Sequence, residues 1–104
     1  MRSGAAGTVS YEVTAALDPS LDAEFERYMR ERHIPDLMAT GCFVSAALAR
    51  LAPGRFRMRY EAAGPPALDR YQAEHAPRLR AEFTAHYPEA ALEREVLTVL
   101  ERWP

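Results

Sequence analysis

The chain has 104 residues, of which 48% are hydrophobic and 27% charged, a composition typical of one globular domain and not of a disordered chain. Thirteen basic residues, all of them arginine, against fifteen acidic ones give a net charge of −2, which argues against charge-driven binding of nucleic acid or of an anionic membrane. No apolar run approaches the ~20 residues of a membrane-spanning helix.

The N-terminal end and the single cysteine indicate the compartment. Residues 1–7 lack the apolar stretch of a secretory signal, so we expect a flexible tail there and one domain over residues 8–104. Cys42 has no second cysteine to pair with, which favours a reducing cytoplasm. We predict that Cys42 is a small buried residue without chemistry of its own.

The first half of the chain reads as a strand followed by an interrupted helix. Residues 8–17 alternate between apolar and polar side chains, which predicts a strand with one apolar face. Asp18 followed by Pro19 is typical of a helix start. Pro35 has no N–H to donate, so we expect this helix to break or kink around residues 33–34.

The second half reads as a hairpin, an interrupted helix and a last strand. Residues 42–51 and 55–62 flank a Pro-Gly turn, which predicts a β-hairpin. A second helical stretch is interrupted by Pro77 and ends near Pro88, and residues 92–103 alternate as a strand. The order βαββαβ predicts a ferredoxin-like α+β fold, in which a four-stranded antiparallel sheet carries both helices on one face.

The other face of this sheet has no covering element in the predicted fold. The alternation places Arg57, Arg59 and Glu61 on that outer face in the third strand, and Glu12 in the first. The centre of the outer face is therefore predicted to be charged.

The hairpin register decides what flanks this charged centre. If Leu51 pairs with Phe56, then Val44, Ala46 and Leu48 share the outer face with the arginines. Apolar pads around a charged centre favour the packing of two sheets about a two-fold axis. We therefore predict a homodimer that closes an eight-stranded barrel with a polar interior, with no nucleic-acid or membrane partner.

His33 is the candidate catalytic residue. It continues the helical row of Phe25 and Met29, so its side chain is predicted to point partly inward. Two roles remain open: a histidine that hydrogen-bonds carbonyls freed by Pro35, or a general acid or base at the mouth of the barrel.

Arg57, Arg59 and Glu12 are the candidate ligand-binding residues. The two arginines could bind a carboxylate or an enolate in the barrel through paired hydrogen bonds. The alternative is a set of cross-strand salt bridges with Glu12 and Glu61.

No cofactor is predicted. The sequence has no His-Glu-x-x-His or paired-cysteine spacing, and although His75 and His86 lie eleven residues apart, they do not form a recognised metal motif. Nothing marks a haem ligand, and no glycine-rich phosphate loop is present. We expect neither a metal nor an organic cofactor.

Several short segments resemble a known family. The most specific is the block of residues 33–43, and the likeness extends over about residues 11–100. The other segments are Tyr11-Glu12-Val13, Arg59-Tyr60, Leu68-Asp69-Arg70-Tyr71 and Ala76-Pro77-Arg78-Leu79-Arg80. Together they resemble a family of short bacterial proteins known as domain of unknown function 4286, although His75 stands where an acidic residue is expected.

That family is similar to the dimeric α/β-barrel superfamily. Its relatives include small antibiotic-biosynthesis monooxygenases, polyketide cyclases, muconolactone isomerases and stress-responsive barrel proteins. The resemblance implies the fold and a homodimer, but the family has no agreed activity, and one fold hosts many functions.

Two functions therefore remain open. The first is a barrel that binds a small apolar or anionic metabolite and acts as a cofactor-independent monooxygenase, cyclase or isomerase. The second is a non-catalytic homodimeric module for structure or protein interaction. A cavity of ~300 Å³ or more beside His33 favours the first, and a filled, salt-bridged interior favours the second.

Overall fold

Residues 7–104 are described by a computed structural model, so the predicted tail lies, apart from Gly7, outside the described residues. Four strands form one antiparallel sheet: β1 (Val9–Ala16), β2 (Ser45–Ala52), β3 (Arg55–Ala62) and β4 (Ala91–Thr98). Their spatial order is β2-β3-β1-β4, so the first strand lies between the third and the fourth. This order confirms the predicted ferredoxin-like topology.

The helices cover one face of the sheet, here called the inner face. The first connection contains a 3-10 turn (Pro19–Leu21), α1 (Asp22–Tyr28), a π-helical turn (Met29–His33) and α2 (Ile34–Ala39). The second contains α3 (Pro65–Glu74) and α4 (Ala76–His86). The core between helices and sheet includes Phe25, Phe56 and Leu79, each at most 1% exposed.

The predicted interruption of the first helix is the π-helical turn. Ile34 donates its N–H to the carbonyl of Met29, five residues earlier. Pro35, the second residue of α2, has no N–H and its ring needs space near the preceding turn. The wider π turn supplies that space without ending the helix.

In the second half, Pro77 is likewise the second residue of α4, but there the chain leaves helical geometry at His75.

The predicted hairpin register is wrong. Phe56 pairs with Arg50, and Leu51 is an extra residue in a bulge. Ala46 and Leu48 consequently lie on the inner face and pack against the core. The bulge shifts the pairing of every earlier residue of β2 by one position. Because strand side chains alternate between the two faces of the sheet, this shift moves each of them to the opposite face. Val44, the third residue of the predicted apolar pad, precedes the strand and is exposed.

The last strand is shorter than predicted. β4 ends at Thr98, and the described residues beyond it have no regular secondary structure. Val99 still donates its N–H to the carbonyl of Thr8, and farther on Arg102 forms an ion pair with Glu61 on the outer face. The chain's own C-terminal segment therefore contacts one end of the face that was predicted to be bare.

Gly54 fixes the hairpin turn against the end of β1. Its φ is 75°, and its carbonyl accepts a hydrogen bond of 2.8 Å from the N–H of Leu17. A Cβ at this position would lie 2.4 Å from the Leu17 carbonyl oxygen. The turn therefore requires glycine both for its backbone conformation and for its close approach to Leu17.

We expect Gly54→Ala to destabilise the fold more than Gly41→Ala does. Both glycines have a φ of 75°, but a Cβ on Gly41 meets no atom within 4 Å. Gly41→Ala should lower the free energy of unfolding by only about 1 to 2 kcal/mol, because alanine disfavours the left-handed conformation. Gly54→Ala should lower it further, because its Cβ would also overlap the backbone of Leu17. Urea unfolding of both variants measures the difference. Equal losses would show that the contact with Leu17 is not restrictive.

Candidate functional site

A small cavity lies between the inner face of the sheet and the helices, beside the π-helical turn. Its volume is about 30 Å³, enough for roughly two water molecules. Aromatic, aliphatic and basic side chains line it: Tyr11, Val13, His33, Leu37, Met58, Tyr60, Tyr71, Arg80, Phe83, Leu92 and Arg94. No carboxylate is among these lining residues.

Three tyrosines form the sheet-side and α3-side walls of the cavity. The ring of Tyr11 lies 6.1 Å from that of Tyr60 and 5.9 Å from that of Tyr71, measured between centroids. Burial raises the pKa of Tyr60 and of Tyr71 well above the usual value for a phenol. Both hydroxyls are therefore neutral at pH 7 and are able to donate hydrogen bonds.

His33 enters the cavity from the π-helical turn. Its ring packs against Tyr28 at 5.9 Å and against Phe83 at 5.3 Å between centroids. Its Nδ1 is buried without a hydrogen-bond partner in the described part of the chain, so this atom does not satisfy a carbonyl freed by Pro35. Burial lowers the pKa of His33 from 6.5 to about 4; Asp36 opposes this shift and His86 adds to it. His33 is therefore neutral at pH 7.

Arg80 and Arg94 bring positive charge to the cavity. Arg80 donates from Nη2 to Gln72 Oε1 at 2.7 Å and to Tyr11 Oη at 3.3 Å, and its buried Nε has no partner among the residues that the structure describes. Arg94 lies opposite Val13 in the sheet, on the inner face. Neither arginine forms an ion pair with any carboxylate in residues 7–104.

The predicted ligand-binding residues lie on the opposite, outer face. Arg59 Nε is 3.1 Å from Glu12 Oε2, and Arg57 Nε donates to Thr14 Oγ1 at 3.3 Å. The sheet separates this cluster from His33, so the structure does not bring the four predicted site residues together. A groove of about 190 Å³ lies beside Arg59 on the outer face. A ligand role for Arg57, Arg59 and Glu12 stays a prediction.

The two arginines of the cavity are not among the predicted site residues, although both leave a signal in the sequence. Arg80 lies one residue after buried Leu79 and three before buried Phe83 in α4, on the inward side of the helix. Arg94 alternates with Leu92 on the inner face of β4. A charged residue in an apolar row was the available sign of a buried polar site.

No group of three or more His, Cys, Asp or Glu side chains within residues 7–104 is placed to hold a metal ion. None of the described helices is both long enough and apolar enough to cross a membrane.

Comparison with known proteins identifies a family and a fold. Residues 8–102 match the family described as Domain of unknown function (DUF4286). No protein with a curated description matches the chain significantly.

Solved structures of the same fold include enzymes. SnoaB, a cofactor-independent oxygenase from Streptomyces nogalater, aligns with a TM-score of 0.74 and 20% identity, over 95% of this chain and 99% of that one. A proposed antibiotic biosynthesis monooxygenase from Caulobacter crescentus CB15 aligns with a TM-score of 0.65 and 22% identity, over 93% of each chain. At these identities the likeness establishes the fold alone.

A third similar structure is described as a dimer. A dimeric ferredoxin-like protein from an uncultured marine organism aligns with a TM-score of 0.64 and 13% identity, over 92% of this chain and 97% of that one. The arrangement of two copies is thus known for a protein with this fold.

We expect His33 to make the fold less stable in acid. Between pH 6.5 and about 4 the unfolded histidine binds a proton that the folded one does not, so stability rises with pH across this window. Acidification across this window should lower the free energy of unfolding by about 3 kcal/mol through His33. His33→Gln should remove it, and His75→Gln, which changes a histidine outside the cavity, should not. Urea unfolding at pH 4 and pH 7 tests this; equal pH dependence in wild type and His33→Gln would contradict it.

Proposed function

The chain belongs to the DUF4286 family, which has no established activity, and from its cavity we propose that it binds a small organic anion with a flat apolar body. We further propose that it acts on this ligand without a cofactor, with His33 as the base. One observation carries both steps: an aromatic cavity without carboxylates holds two arginines that have no carboxylate partner in residues 7–104, beside a neutral histidine.

The charges in the cavity favour an anion. A guanidinium removed from water without a counter-ion is costly, and proteins normally place a carboxylate beside it. Here Arg80, whose Nε is buried, has no carboxylate partner among the described residues, and the exposed Arg94 at the same cavity has none either. A bound anion would offset this cost, and aromatic walls suit a flat apolar body.

We assign proton removal from the ligand to His33, which its lowered pKa makes a weak base in the free protein, so that the transfer depends on stabilisation of the resulting anion. A neutral imidazole with an unpartnered nitrogen can accept a proton, and nearby arginines stabilise the anion that is left on the ligand. Cofactor-independent oxidation, cyclisation and isomerisation can each begin with such a step. The similarity of fold to a cofactor-independent oxygenase supports this class of reaction.

The size of the cavity sets a condition on binding. Its 30 Å³ is far below the volume of a metabolite. Arg94 is exposed and lines the cavity, so its long side chain is the element whose movement would enlarge the site. The proposed ligand therefore enters by displacing Arg94 from its present position.

The small volume also favours the second candidate, a non-catalytic module. In that case side chains fill the interior and the protein works through its surface. This alternative does not use the unpartnered nitrogens of His33 and Arg80, and ligand binding distinguishes the two candidates.

We also propose that the protein is a homodimer joined through its outer sheet face. Exposed Leu97 lies on this face, and a protein of the same fold is described as dimeric. In the dimer, Arg57, Arg59 and Glu12 would face the space enclosed between the two sheets, as predicted for a ligand site. We infer a cytoplasmic location from Cys42, which has no second cysteine in the chain to pair with.

Aromatic anions should stabilise the wild-type protein. We expect benzoate, salicylate or 1-naphthoate to raise its Tm. At a hundredfold excess over Kd, a bound anion adds about 2.7 kcal/mol to the free energy of unfolding. Arg94→Ala should lose most of this shift, whereas Arg78→Ala, an exposed arginine of α4 that pairs with Glu82, should keep it. Differential scanning fluorimetry measures the shifts. The absence of a shift with every anion would favour the non-catalytic module.

The dimer should depend on Leu97. Leu97→Glu would place a charge in the proposed interface and should give a monomer in light scattering at micromolar concentration. Leu51→Glu is the matched control, because Leu51 is similarly exposed (45% against 43%) but lies at the hairpin bulge. A wild-type monomer, or a dimer that survives Leu97→Glu, would argue against this interface.

A further inference from the structure

Arg80 is hydrogen-bonded through one nitrogen of its guanidinium and unpartnered at another. Nη2 donates to Gln72 Oε1 at 2.7 Å and to Tyr11 Oη at 3.3 Å. Nε is buried and has no hydrogen-bond partner among the described residues. A buried N–H without an acceptor costs about 1 to 3 kcal/mol, more when the group is charged. This arrangement is unfavourable unless another molecule supplies an acceptor.

We propose that Arg80 Nε is the oxygen-binding point of the cavity, and that Gln72 is the positioning residue that aims it. This inference rests on the proposed function and specifies it further. The ligand is an organic molecule with an anionic oxygen, such as a carboxylate, phenolate or enolate, and that oxygen accepts the hydrogen bond from Nε.

The assignment to Gln72 follows from the planarity of the guanidinium. Because the group is rigid, fixing Nη2 also fixes the direction of the Nε–H bond. Gln72 belongs to α3 and Arg80 to α4, so the hydrogen bond joins the two helices on either side of the break at His75. Without the bond from Gln72, the arginine would gain alternative rotamers and the direction of Nε–H would be lost.

The unpartnered nitrogen of His33 can act together with the oxygen-binding point at Arg80 Nε. His33 Nδ1 and Arg80 Nε are both buried without partners, and both residues line the same cavity. If the ligand arrives as a neutral enol or phenol, its O–H bond breaks, the proton goes to His33, and the electron pair stays on the oxygen at Arg80 Nε. The resulting imidazolium and oxyanion, together with the guanidinium, leave one net positive charge, as before the transfer.

The test uses benzoate as the anionic probe and toluene as a probe with the same ring and no acceptor. NMR titration of the wild-type protein gives both affinities, and the side-chain Nε–H resonance of Arg80 reports the hydrogen bond directly. We expect benzoate, and not toluene, to move this resonance.

Three substitutions separate the roles. Arg80→Lys keeps the positive charge but removes the guanidinium with its Nε–H donor. It should weaken benzoate binding about tenfold or more, while toluene affinity stays within about twofold. Gln72→Met should weaken benzoate about fivefold, because the Nε–H bond of Arg80 is then no longer held in one direction, and should broaden or shift the Arg80 Nε–H resonance in the free protein. Gln72→Glu keeps the acceptor oxygen and should restore that resonance. Arg78→Lys, on the exposed side of α4, is the control and should change nothing.

The outcomes distinguish this inference from the proposed function. If benzoate, salicylate and 1-naphthoate all fail to bind the wild-type protein, both ideas are overturned. If an anion binds but Gln72→Met changes neither its affinity nor the Arg80 resonance, the role of Gln72 is wrong and the proposed function stands. Equal weakening of benzoate and toluene in Arg80→Lys would indicate a packing role, and it would overturn the oxygen-binding point alone.

Discussion

The missing N–H of Pro35 shapes the site more than any other single feature of the chain. A regular α-helix cannot accommodate the proline ring and its absent donor, and the π-helical turn of Met29–His33 is the local solution. The extra residue in this turn changes which side chains face the sheet after it. His33 is the last residue of the turn, and it lies over the aromatic wall with a buried, unpartnered nitrogen. The lowered pKa of His33 follows from that burial, so the backbone constraint also sets the protonation state.

The sheet divides the polar residues of the protein into two groups with different environments. On the outer face, Arg59 has Glu12 as a partner, and Arg57 donates to a threonine hydroxyl. An ion pair with an exposed arginine, as at Arg59, contributes little to stability and needs no ligand. On the inner face, Arg80 and Arg94 have no carboxylate within reach among the described residues. The difference in pairing, and not the number of arginines, makes the inner face the better candidate for binding.

Local patterns were sufficient to predict the elements, whereas contacts between distant elements decided the site. Alternation and proline positions predicted the strands, the helices and the interruption near His33, because each depends on neighbouring residues. The bulge at Leu51 was not predictable in this way, since it depends on how the turn at Gly54 packs against the end of β1. Arg80 and Arg94 come from a helix and a strand that meet only in the folded protein. Their shared cavity was therefore beyond a reading of either segment alone, although each interrupts an apolar row.

A purely structural role does not use the polar groups of the inner cavity. A protein that works only through its surface gains stability by filling such a space with apolar side chains and by pairing every buried donor. Within residues 7–104, a histidine nitrogen and a guanidinium N–H are instead buried without partners, and the same guanidinium is held in place through Gln72 and Tyr11. Ordering a long side chain while leaving its donor unsatisfied opposes folding twice. An oxygen-bearing anion at Arg80 would satisfy that donor and supply the counter-charge that the described residues do not.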